Sequence, residues 1–299
     1  MILCCGESLI DMLPRTTTAG EPGFAPVPGG AVFNTAIALG RLGAPAGYFG
    51  GLSTDLFGTA LTEALRASRV DDRLCPRSPR PTTLAFVTLT DGQAQYAFYD
   101  ENTAGRMLAA TDLPALSDEI AALFFGGISL VAEPAADTYA SLCARSGDRL
   151  VMIDPNIRPG FITDEARYRA RLGAMLARAD IVKISDEDMA WLGTTPAALC
   201  AGGAALVLET RGAEGILAVS AAGEMLVPAH KAEVVDTVGA GDTFNAGLLA
   251  GLWRENLLDR QALRAAGLEA LRPCVALGAR AAAVTVSRAG ANPPWEDEL

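Results

Sequence analysis

The chain has 299 residues, of which 50% are hydrophobic but only 6% aromatic, so its core must consist mainly of Ala, Leu, Val and Ile. Its formal net charge of −11 repels phosphate backbones and anionic lipid, which argues against nucleic acid and membrane surfaces as partners. The six cysteines lack C-x-x-C spacing and no apolar stretch reaches the roughly 18 residues of a membrane span, so we expect reduced thiols and a cytoplasmic protein.

Short apolar runs alternate with helical patterns along the chain. This alternation predicts an α/β fold with a mainly parallel central sheet and helices on both faces. Ligands of such sheets bind at the carboxyl ends of the strands, where the connecting loops meet. No linker or repeat divides the sequence, so we expect one domain over residues 1–299. The predicted strands are 2–5, 48–50, 123–125, 150–153, 181–184, 206–208 and 216–219, and the predicted helices include 34–42, 57–67, 165–177 and 243–253.

One region departs from this alternation. Residues 82–90 and 95–99 are rich in β-forming residues and are separated by Asp91-Gly92, a strong hairpin signal. Together with the stretch after Asp11 they predict a small antiparallel β lid formed by about residues 12–28 and 80–105. An ordinary edge hairpin is the alternative.

The segment EVVDTVGAGDTFNAG, residues 233–247, carries the most specific chemistry. Gly239, Ala240 and Gly241 leave backbone amides bare before a predicted helix, whose N-terminus adds free N–H groups and a positive dipole end. These groups form an anion site that needs no basic side chain. The same dipole favours the charged form of Asp242, so we expect this carboxylate to be ionised and to act as a general base. A plain turn and helix start is the alternative, and neither G-x-G-x-x-G nor P-loop spacing is present, which excludes those nucleotide motifs.

DTVGAGDTFNAG resembles the C-terminal signature of the ribokinase/PfkB family of carbohydrate kinases, and PGGAVFNTAIALGRLG, residues 28–43, resembles the N-terminal signature. GESLIDMLP and AAAVTVSRAGANPP also fit, so the resemblance covers essentially the whole chain. It implies a ribokinase-like fold and an ATP- and Mg²⁺-dependent sugar kinase. It also implies that Asp242 is the catalytic base and that the backbone of Gly239, Ala240 and Gly241 holds the charge on the transferred phosphoryl group.

The resemblance further implies a sugar site near the N-terminal signature. Bare backbone at Gly29 and Gly30 lets a polyol approach closely, and the Asn34 amide can donate to and accept from a hydroxyl. Relatives use carboxylates matching Asp11 to hold sugar hydroxyls, and an Arg matching Arg158 of DPNIR to approach the sugar or the phosphoryl group. The structural alternatives are a simple turn for Gly29-Gly30, a helix cap for Asn34, a strand end for Asp11 and a surface ion pair for Arg158. The candidate sugar-binding residues are Asp11, Gly29, Gly30, Asn34, Tyr99, Arg158 and Asp242.

Other segments resemble the nucleotide site of the family. TRGAEG, residues 210–215, is similar to the T-x-G-x-x-G nucleotide loop, and residues 287–292 would close the adenine pocket. His230 is expected at the surface without a catalytic role, and NPPWEDEL is expected to be a surface tail. The candidate nucleotide-binding residues are Lys183, Ser185, Thr210, Gly212, Gly215, Gly239, Gly241 and Asn292.

Metal ligands are expected from two places. Many relatives carry N-x-x-E where this chain has Ser185 and Asp188, and an acid at this position suits hard Mg²⁺, directly or through water. Asp188 is therefore the candidate Mg²⁺ ligand. In several relatives, carbonyls of the adenine-pocket loop and of the glycine turn bind K⁺, and Asp236 and Val238 would contribute here.

The choice of sugar follows from GESLIDMLP, DPNIRP and KISDEDMAWLG, which resemble the fructokinase branch. We expect phosphorylation of a primary hydroxyl of a neutral sugar, fructose in the first place. Asp100 stands where many fructokinases carry Arg; if it faces the pocket we expect it to disfavour acidic sugars, and the alternative is that it points to solvent. Ribokinase, 2-keto-3-deoxygluconate kinase and nucleoside kinase are the alternatives within the family, and a catalytically silent sugar-binding regulator is the alternative of another class. Since relatives often pair through the lid edge, a homodimer is also expected.

Overall fold

The computed structural model describes residues 1–90 and 93–299. Its α-helices are α1 (Ala31–Arg41), α2 (Leu56–Ala67), α3 (Ala135–Ala144), α4 (Glu165–Arg178), α5 (Asp186–Leu192), α6 (Pro196–Ala201), α7 (Ala240–Arg254), α8 (Arg260–Ala265) and α9 (Leu268–Val286). Its strands are β1 (Ile2–Cys5), β2 (Leu9–Thr16), β3 (Pro22–Gly29), β4 (Ala46–Phe49), β5 (Leu52–Ser53), β6 (Arg77–Ser78), β7 (Leu84–Thr90), β8 (Gln93–Tyr99), β9 (Ala122–Gly126), β10 (Leu150–Asp154), β11 (Ile181–Ser185), β12 (Leu206–Thr210), β13 (Ile216–Ser220) and β14 (Gly223–Val227).

The main sheet has eight strands in the order β14-β13-β12-β11-β10-β9-β1-β4. The strands from β12 to β4 are parallel, and β13 and β14 form an antiparallel edge, which confirms the predicted mainly parallel sheet. Side chains alternate across it. Ile2 and Cys4 point into one apolar cluster with α1, α7 and α9, while Leu3 and Cys5 point into another with α3 and α4. Helices therefore cover both faces, which explains why these strands are apolar at nearly every position.

A second sheet has four strands in the order β3-β2-β7-β8. β2 pairs antiparallel with β3, and β7 with β8, but β2 and β7 are parallel, so the predicted antiparallel lid is in fact a mixed sheet. Asp11 pairs with Ala85, and Ala85 pairs with Phe98, which places these three side chains on one face. The predicted hairpin turn at Asp91-Gly92 lies outside the described residues. That this sheet acts as a lid stays a prediction.

The C-terminal segment packs against α1, which corrects the expectation of a surface tail. Pro293 and Pro294 are buried. Arg41 of α1 donates through Nη1 to Asn292 Oδ1 and to the Pro293 carbonyl, both at 2.9 Å, and its guanidinium lies 5.4 Å from the centre of the Trp295 ring. The prolines supply apolar area to bury, and Arg41 holds the polar groups on either side of them.

Within the described part of the chain, no helix is long and apolar enough to cross a membrane. All six cysteines fall in that part and are unpaired, as expected. Five are buried and Cys200 is partly buried. Burial raises the pKa of the Cys4 and Cys5 thiols, so these two side chains serve as inert packing groups.

Candidate active site

The glycine turn before α7 forms one wall of the site. Gly239 is the N-cap of α7 and has φ 77°, a left-handed conformation that favours glycine. A Cβ atom on Gly239 would lie 2.7 Å from the Cβ of Ala291, and one on Gly241 would lie 3.1 Å from Lys183 Nζ. The turn is therefore packed between a loop and a lysine ammonium. A Cβ on Gly239 would clash with Ala291, and one on Gly241 would press on the Lys183 ammonium, so glycine keeps the backbone at the start of α7 free of side chains. Within this turn the amide of Ala240 donates to the Thr237 carbonyl at 3.3 Å.

Asp242 is the third residue of α7 and is 9% exposed. Its Oδ2 accepts a hydrogen bond from Asn34 Nδ2 at 3.0 Å, and its backbone carbonyl accepts one from Thr35 Oγ1 at 3.3 Å. α1 and α7, which carry the two sequence signatures, thus meet at this carboxylate. Burial raises the pKa of Asp242 to about 7, against the opposing effect of the Asn34 hydrogen bond. This pKa disagrees with the expectation of a fully ionised Asp242, because burial disfavours the charged form.

Four of the predicted sugar residues, Asp11, Gly29, Gly30 and Asn34, converge at the N-terminus of α1. Gly30 has φ 109°, and a Cβ there would lie 2.9 Å from the Glu7 carbonyl. A Cβ on Gly29 would lie 2.3 Å from Asp11 Oδ2, so the Asp11 carboxylate rests on bare backbone. Burial raises the pKa of Asp11 to about 6. With Asn34 one turn into the helix and bonded to Asp242, these groups form a polar surface between Asp11 and Asp242, which we call the polar recess.

Glu7 supports this recess and was not predicted as a site residue. Its Oε1 accepts the amide of Ala31 at 3.0 Å, and its Oε2 accepts the amide of Ser129 at 3.2 Å. One carboxylate therefore holds the start of α1 and the 3₁₀ turn after β9 together. Burial raises the pKa of Glu7, and these amide hydrogen bonds oppose that rise. The available sequence signal was an acid two residues after the first buried strand.

A cavity of about 560 Å³ lies on the other side of the glycine turn. This volume is typical of small-ligand sites, and the walls are mostly apolar. Thr210, Gly212, Gly215 and Gly241, four of the predicted nucleotide residues, line it. His230 also lines it, so the expected surface histidine stands at the rim of a cavity. The other lining residues are Ala213, Ile216, Ala229, Lys231, Ala232, Val234, Thr237, Ala240, Phe244, Ala279, Ala282, Ala283 and Val286.

Four predicted nucleotide residues, Lys183, Ser185, Gly239 and Asn292, are not part of the cavity lining, and two of them make local contacts instead. Ser185 is the N-cap of α5, and its Oγ accepts the amide of Asp188 at 3.0 Å. Asn292 accepts from Arg41 through its side chain. Contacts to a nucleotide from these two residues therefore stay predictions without a geometric basis.

The candidate metal ligands are engaged in local hydrogen bonds. Asp188 Oδ1 accepts the amide of Ile157 at 3.1 Å. Asp236 accepts the amide of Val238 through Oδ1 at 3.0 Å and the amide of Gly290 through Oδ2 at 2.9 Å. The Asp236 side chain thus ties the glycine turn to the loop of residues 287–292, the loop from which relatives were expected to supply carbonyl ligands.

Tyr99 lies on the opposite face of the second sheet from Asp11. Tyr99 pairs with Leu84, whereas Asp11 pairs with Ala85, and successive side chains of a strand point to opposite faces. The Tyr99 ring is 61% exposed and contacts Phe86 edge-on at 5.5 Å. The structure therefore does not bring Tyr99 to the sugar recess.

Asp100 and Arg158 were expected near the sugar, but in the structure both make contacts with neighbouring residues of the chain. Asp100 Oδ1 accepts from Arg106 Nη1 at 2.9 Å, so the negative charge that was expected to select against acidic sugars is balanced by an ion pair. Arg158 is exposed and donates to the carbonyl of the neighbouring Ile157 at 3.0 Å. Its approach to a sugar or phosphoryl group stays a prediction.

The chain is similar to carbohydrate kinases over its whole length. The model of the pfkB family carbohydrate kinase matches residues 1–298. A fructokinase of Rhizobium leguminosarum bv. trifolii is 53% identical over 279 residues, which is 91% of this chain and 86% of the relative. Fructokinase-1 of Oryza sativa subsp. japonica is 33% identical over 100% of this chain and 95% of its own. The crystal structure of a Xylella fastidiosa fructokinase with bound ATP superposes with a TM-score of 0.88 at 28% identity and covers 97% of this chain and 93% of that one.

Proposed function

The chain belongs to the pfkB family of carbohydrate kinases, and we propose that it transfers the γ-phosphoryl group of ATP to a primary hydroxyl of fructose. One observation supports this reaction above others. Asp242 is a buried carboxylate with a pKa near neutrality, and it lies between the polar recess at α1 and the bare amides of the turn before α7. The 53% identity to a fructokinase supports fructose as the sugar.

The sugar recess supplies the acceptor. Asp11 and Asn34 hold neutral hydroxyls, and the backbone at Gly29 and Gly30 allows the ring to approach closely. Asp242 accepts the proton of the reacting hydroxyl. The hydroxyl oxygen then attacks the γ-phosphorus, the bond to the bridging oxygen breaks, and ADP leaves with that electron pair. A base with a pKa of about 7 is well matched to proton transfer at neutral pH.

The nucleotide occupies the cavity beside the glycine turn. Its apolar wall, built from α9 and Phe244, suits a purine base, and Thr210 and Gly212 lie at the strand end where a ribose or phosphate is held. The amides of Gly239, Ala240 and Gly241 meet the negative charge of the transferred group. An acidic protein thereby binds a polyphosphate with backbone dipoles.

Mg²⁺ supplies charge neutralisation between the β- and γ-phosphates when it is bound. Among the described residues, no cluster of three or more His, Cys, Asp or Glu side chains could hold a metal ion. Residues of this chain would then supply one or two carboxylates to the ion. Asp188, whose pKa burial raises, is the carboxylate we assign to it. For K⁺ we assign carbonyls near Asp236 and Val238, since Asp236 already joins the two loops concerned.

The second sheet closes over the sugar in this scheme, with the face that carries Asp11 directed inward. Phe98 on this face packs against Phe161 of the 3₁₀ turn Pro159–Phe161, with ring centres 4.6 Å apart. Closure would exclude water, which competes as a nucleophile. The opposite face carries the exposed rings of Phe24 and Tyr99, and we assign the homodimer contact to it. Sedimentation of the wild-type chain tests that contact.

ADP release measured with a panel of neutral and acidic sugars, with Mg²⁺ and K⁺ present, tests the proposed reaction. We expect the highest kcat/KM with fructose. A higher value for ribose, 2-keto-3-deoxygluconate or a nucleoside would reassign the substrate within the family. Sugar binding without ADP release from any sugar would instead show a silent regulator.

A further inference from the structure

The end of the chain, residues 293–299, crosses the molecule on the side away from the sugar, and we call it the C-terminal strap. Trp295 packs under Arg41, the last residue of α1, whose guanidinium lies 5.4 Å from the centre of the ring. Glu296 accepts from Arg254 Nη2, at the end of α7, at 2.8 Å. The strap is therefore fixed to the C-terminal ends of the two helices whose other ends meet at the candidate base.

Arg41 joins the strap to the loop of residues 287–292. Its Nη1 donates to Asn292 Oδ1 and to the Pro293 carbonyl, both at 2.9 Å, and its Nε donates to Ser68 Oγ at 3.4 Å. The donors of a guanidinium lie in one plane with fixed directions, so partners on different segments fix its position. One side chain of α1 therefore holds the point at which the loop ends and the strap begins.

The same loop packs directly against the glycine turn. A Cβ on Gly239 would lie 2.7 Å from the Cβ and 3.0 Å from the Cα of Ala291, so the two backbones are in contact with no space between them for a side chain. One residue earlier, the amide of Gly290 donates to Asp236 Oδ2 at 2.9 Å. Because contacts this close leave little freedom, a shift of the loop must also shift the N-cap of α7.

We propose that Arg41 is a positioning residue for phosphoryl transfer, which holds Ala291 against Gly239 through its bonds to the start of the strap and so fixes the backbone at the start of α7. Arg41 contacts neither the glycine turn nor Asp242, and it acts through the loop alone. A displacement of about 1 Å in a positioning group can lower a rate by about 10²-fold, so a small relaxation of this loop is enough to affect turnover. The inference rests on the proposed kinase reaction and adds a remote support to its anion site.

The test compares Arg41→Met with the control Arg254→Met. Methionine keeps an unbranched apolar side chain and removes the donors. Arg254 is a matched control because it also ends a helix and also holds the strap, donating to Glu296 at 2.8 Å and to the Leu42 carbonyl at 2.9 Å, but its bond to the strap lies beyond both prolines. Both variants should therefore lose stability, and only Arg41→Met should release the loop.

Steady-state kinetics at a temperature where both variants are folded separate positioning from stability. We expect Arg41→Met to lower kcat by about tenfold or more and to leave the KM for fructose within about twofold of wild type, since the sugar recess is not touched. Arg254→Met should keep its kcat within about twofold. A kcat of folded Arg41→Met within about twofold of wild type, or equal losses of kcat in the two variants, would overturn the proposal. If Arg41→Met does not fold, Arg41→Lys keeps the charge but not the planar fork, and an unchanged kcat of this variant would count against the proposal.

A double-mutant cycle tests whether Arg41 acts through the loop. Ala291→Gly removes the methyl group that lies against Gly239 and leaves the bonds of Arg41 to the strap in place. It should lower kcat in the same direction as Arg41→Met. If both residues act through one contact, the double variant should be only as slow as the slower single variant, whereas independent effects would multiply. Losses that multiply, or an unchanged kcat in Ala291→Gly, would contradict the proposed route.

Hydrogen exchange distinguishes failure of this inference from failure of the proposed reaction, because it needs no turnover. Two amides report on the packed turn: that of Gly290, bonded to Asp236, and that of Thr243, which donates to the Gly239 carbonyl at 2.9 Å. Both should exchange about tenfold faster in Arg41→Met than in wild type and at the wild-type rate in Arg254→Met. Equal exchange in all three proteins would overturn the inference. If the wild type releases ADP with no sugar, the proposed reaction fails, and the exchange comparison still decides whether Arg41 holds the turn.

Discussion

Replacing Asp242 by Asn should abolish turnover and, above neutral pH, stabilise the protein. The amide has the shape of the carboxylic acid and can still accept from Asn34, but it cannot take a proton from a hydroxyl. Loss of a general base typically lowers the rate by about 10²- to 10⁴-fold. The variant should therefore release almost no ADP while it still binds ATP.

The stability gain follows from the pKa of the wild-type side chain. Burial raises the pKa of Asp242 from its ordinary value of 3.8 to about 7 in the folded state. The folded chain holds this proton more tightly than the unfolded chain, so wild-type stability falls as the pH rises from 3.8 to about 7 and is level above that. The full difference corresponds to about 4 kcal/mol, an upper bound. Asp242→Asn avoids this loss because its side chain has no charge.

Thermal unfolding at about pH 5 and about pH 8 measures the effect. Asp242→Asn should exceed wild type in melting temperature by several degrees at the higher pH and by much less at the lower pH. Asp180 is a buried carboxylate that accepts the amide of Val151 at 3.0 Å and pairs with Arg260 at 2.9 Å, so Asp180→Asn should be less stable than wild type at both pH values. An active Asp242→Asn variant, or one destabilised at the higher pH, would refute the reasoning.

Three further predictions address the surroundings of the base. Asn34→Ala removes a hydrogen bond that lowers the pKa of Asp242, so the low-pH side of the kcat profile should move up by about one pH unit and the KM for fructose should rise. Gly239→Ala places a Cβ 2.7 Å from that of Ala291 at φ 77°, so it should lower both the melting temperature and the affinity for ATP, the stability loss being about 1–3 kcal/mol. Saturating fructose should protect the backbone amides of β7 from hydrogen exchange and leave those of β12 unchanged, whereas equal exchange in β7 with and without sugar would contradict the lid.

The predicted strands of the main sheet agree with the structure because each is buried on both faces and reads as one apolar run. Ile2–Cys5 was predicted with its exact bounds. β14 was not predicted, because Gly223–Val227 is an edge strand in which only Met225 and Val227 are buried. Its pattern is shared by many loops. Pattern alone finds buried strands well and edge strands poorly.

The site was predicted in part. Asn34 and Asp242 meet across more than two hundred residues, and only the resemblance to a family brought them together. Beside the glycine turn, Asp154 Oδ2 accepts from Lys183 Nζ at 2.9 Å and from Asn245 Nδ2 at 2.7 Å. Asp154 and Asn245 stand inside the quoted motifs DPNIR and DTFNAG, yet no spacing rule connects them with Lys183. Their link depends on the register that pairs Ile153 with Val182 and so places Asp154 beside Lys183.

Tyr99 is a second case in which strand register, and not the motif, determines the position of a side chain. The motif FYDEN indicates a β-strand near the sugar, but it does not determine which of two successive residues faces inward. A shift of one residue exchanges the two faces of a strand. The register that pairs Ala85 with Phe98 directs Phe98 towards the core and Tyr99 towards solvent. The local sequence does not specify strand pairing, and strand pairing determines the face on which Tyr99 lies.

The arrangement of charge explains how so acidic a protein can act on a polyphosphate. Among the carboxylates near Asp242, Glu7 is occupied by two backbone amides and Asp154 by Lys183 and Asn245. Asp11, whose pKa burial raises to about 6, lies against Gly29, so Asp242 is the carboxylate beside the glycine turn that can take up a proton. Because its pKa is about 7, only about half of the Asp242 carboxyl groups are charged at neutral pH, which reduces their repulsion of the ATP phosphates. Burial therefore has two effects in the proposed mechanism. It raises the affinity of Asp242 for a proton, and it reduces the repulsion between this carboxyl group and ATP before the sugar hydroxyl is in place.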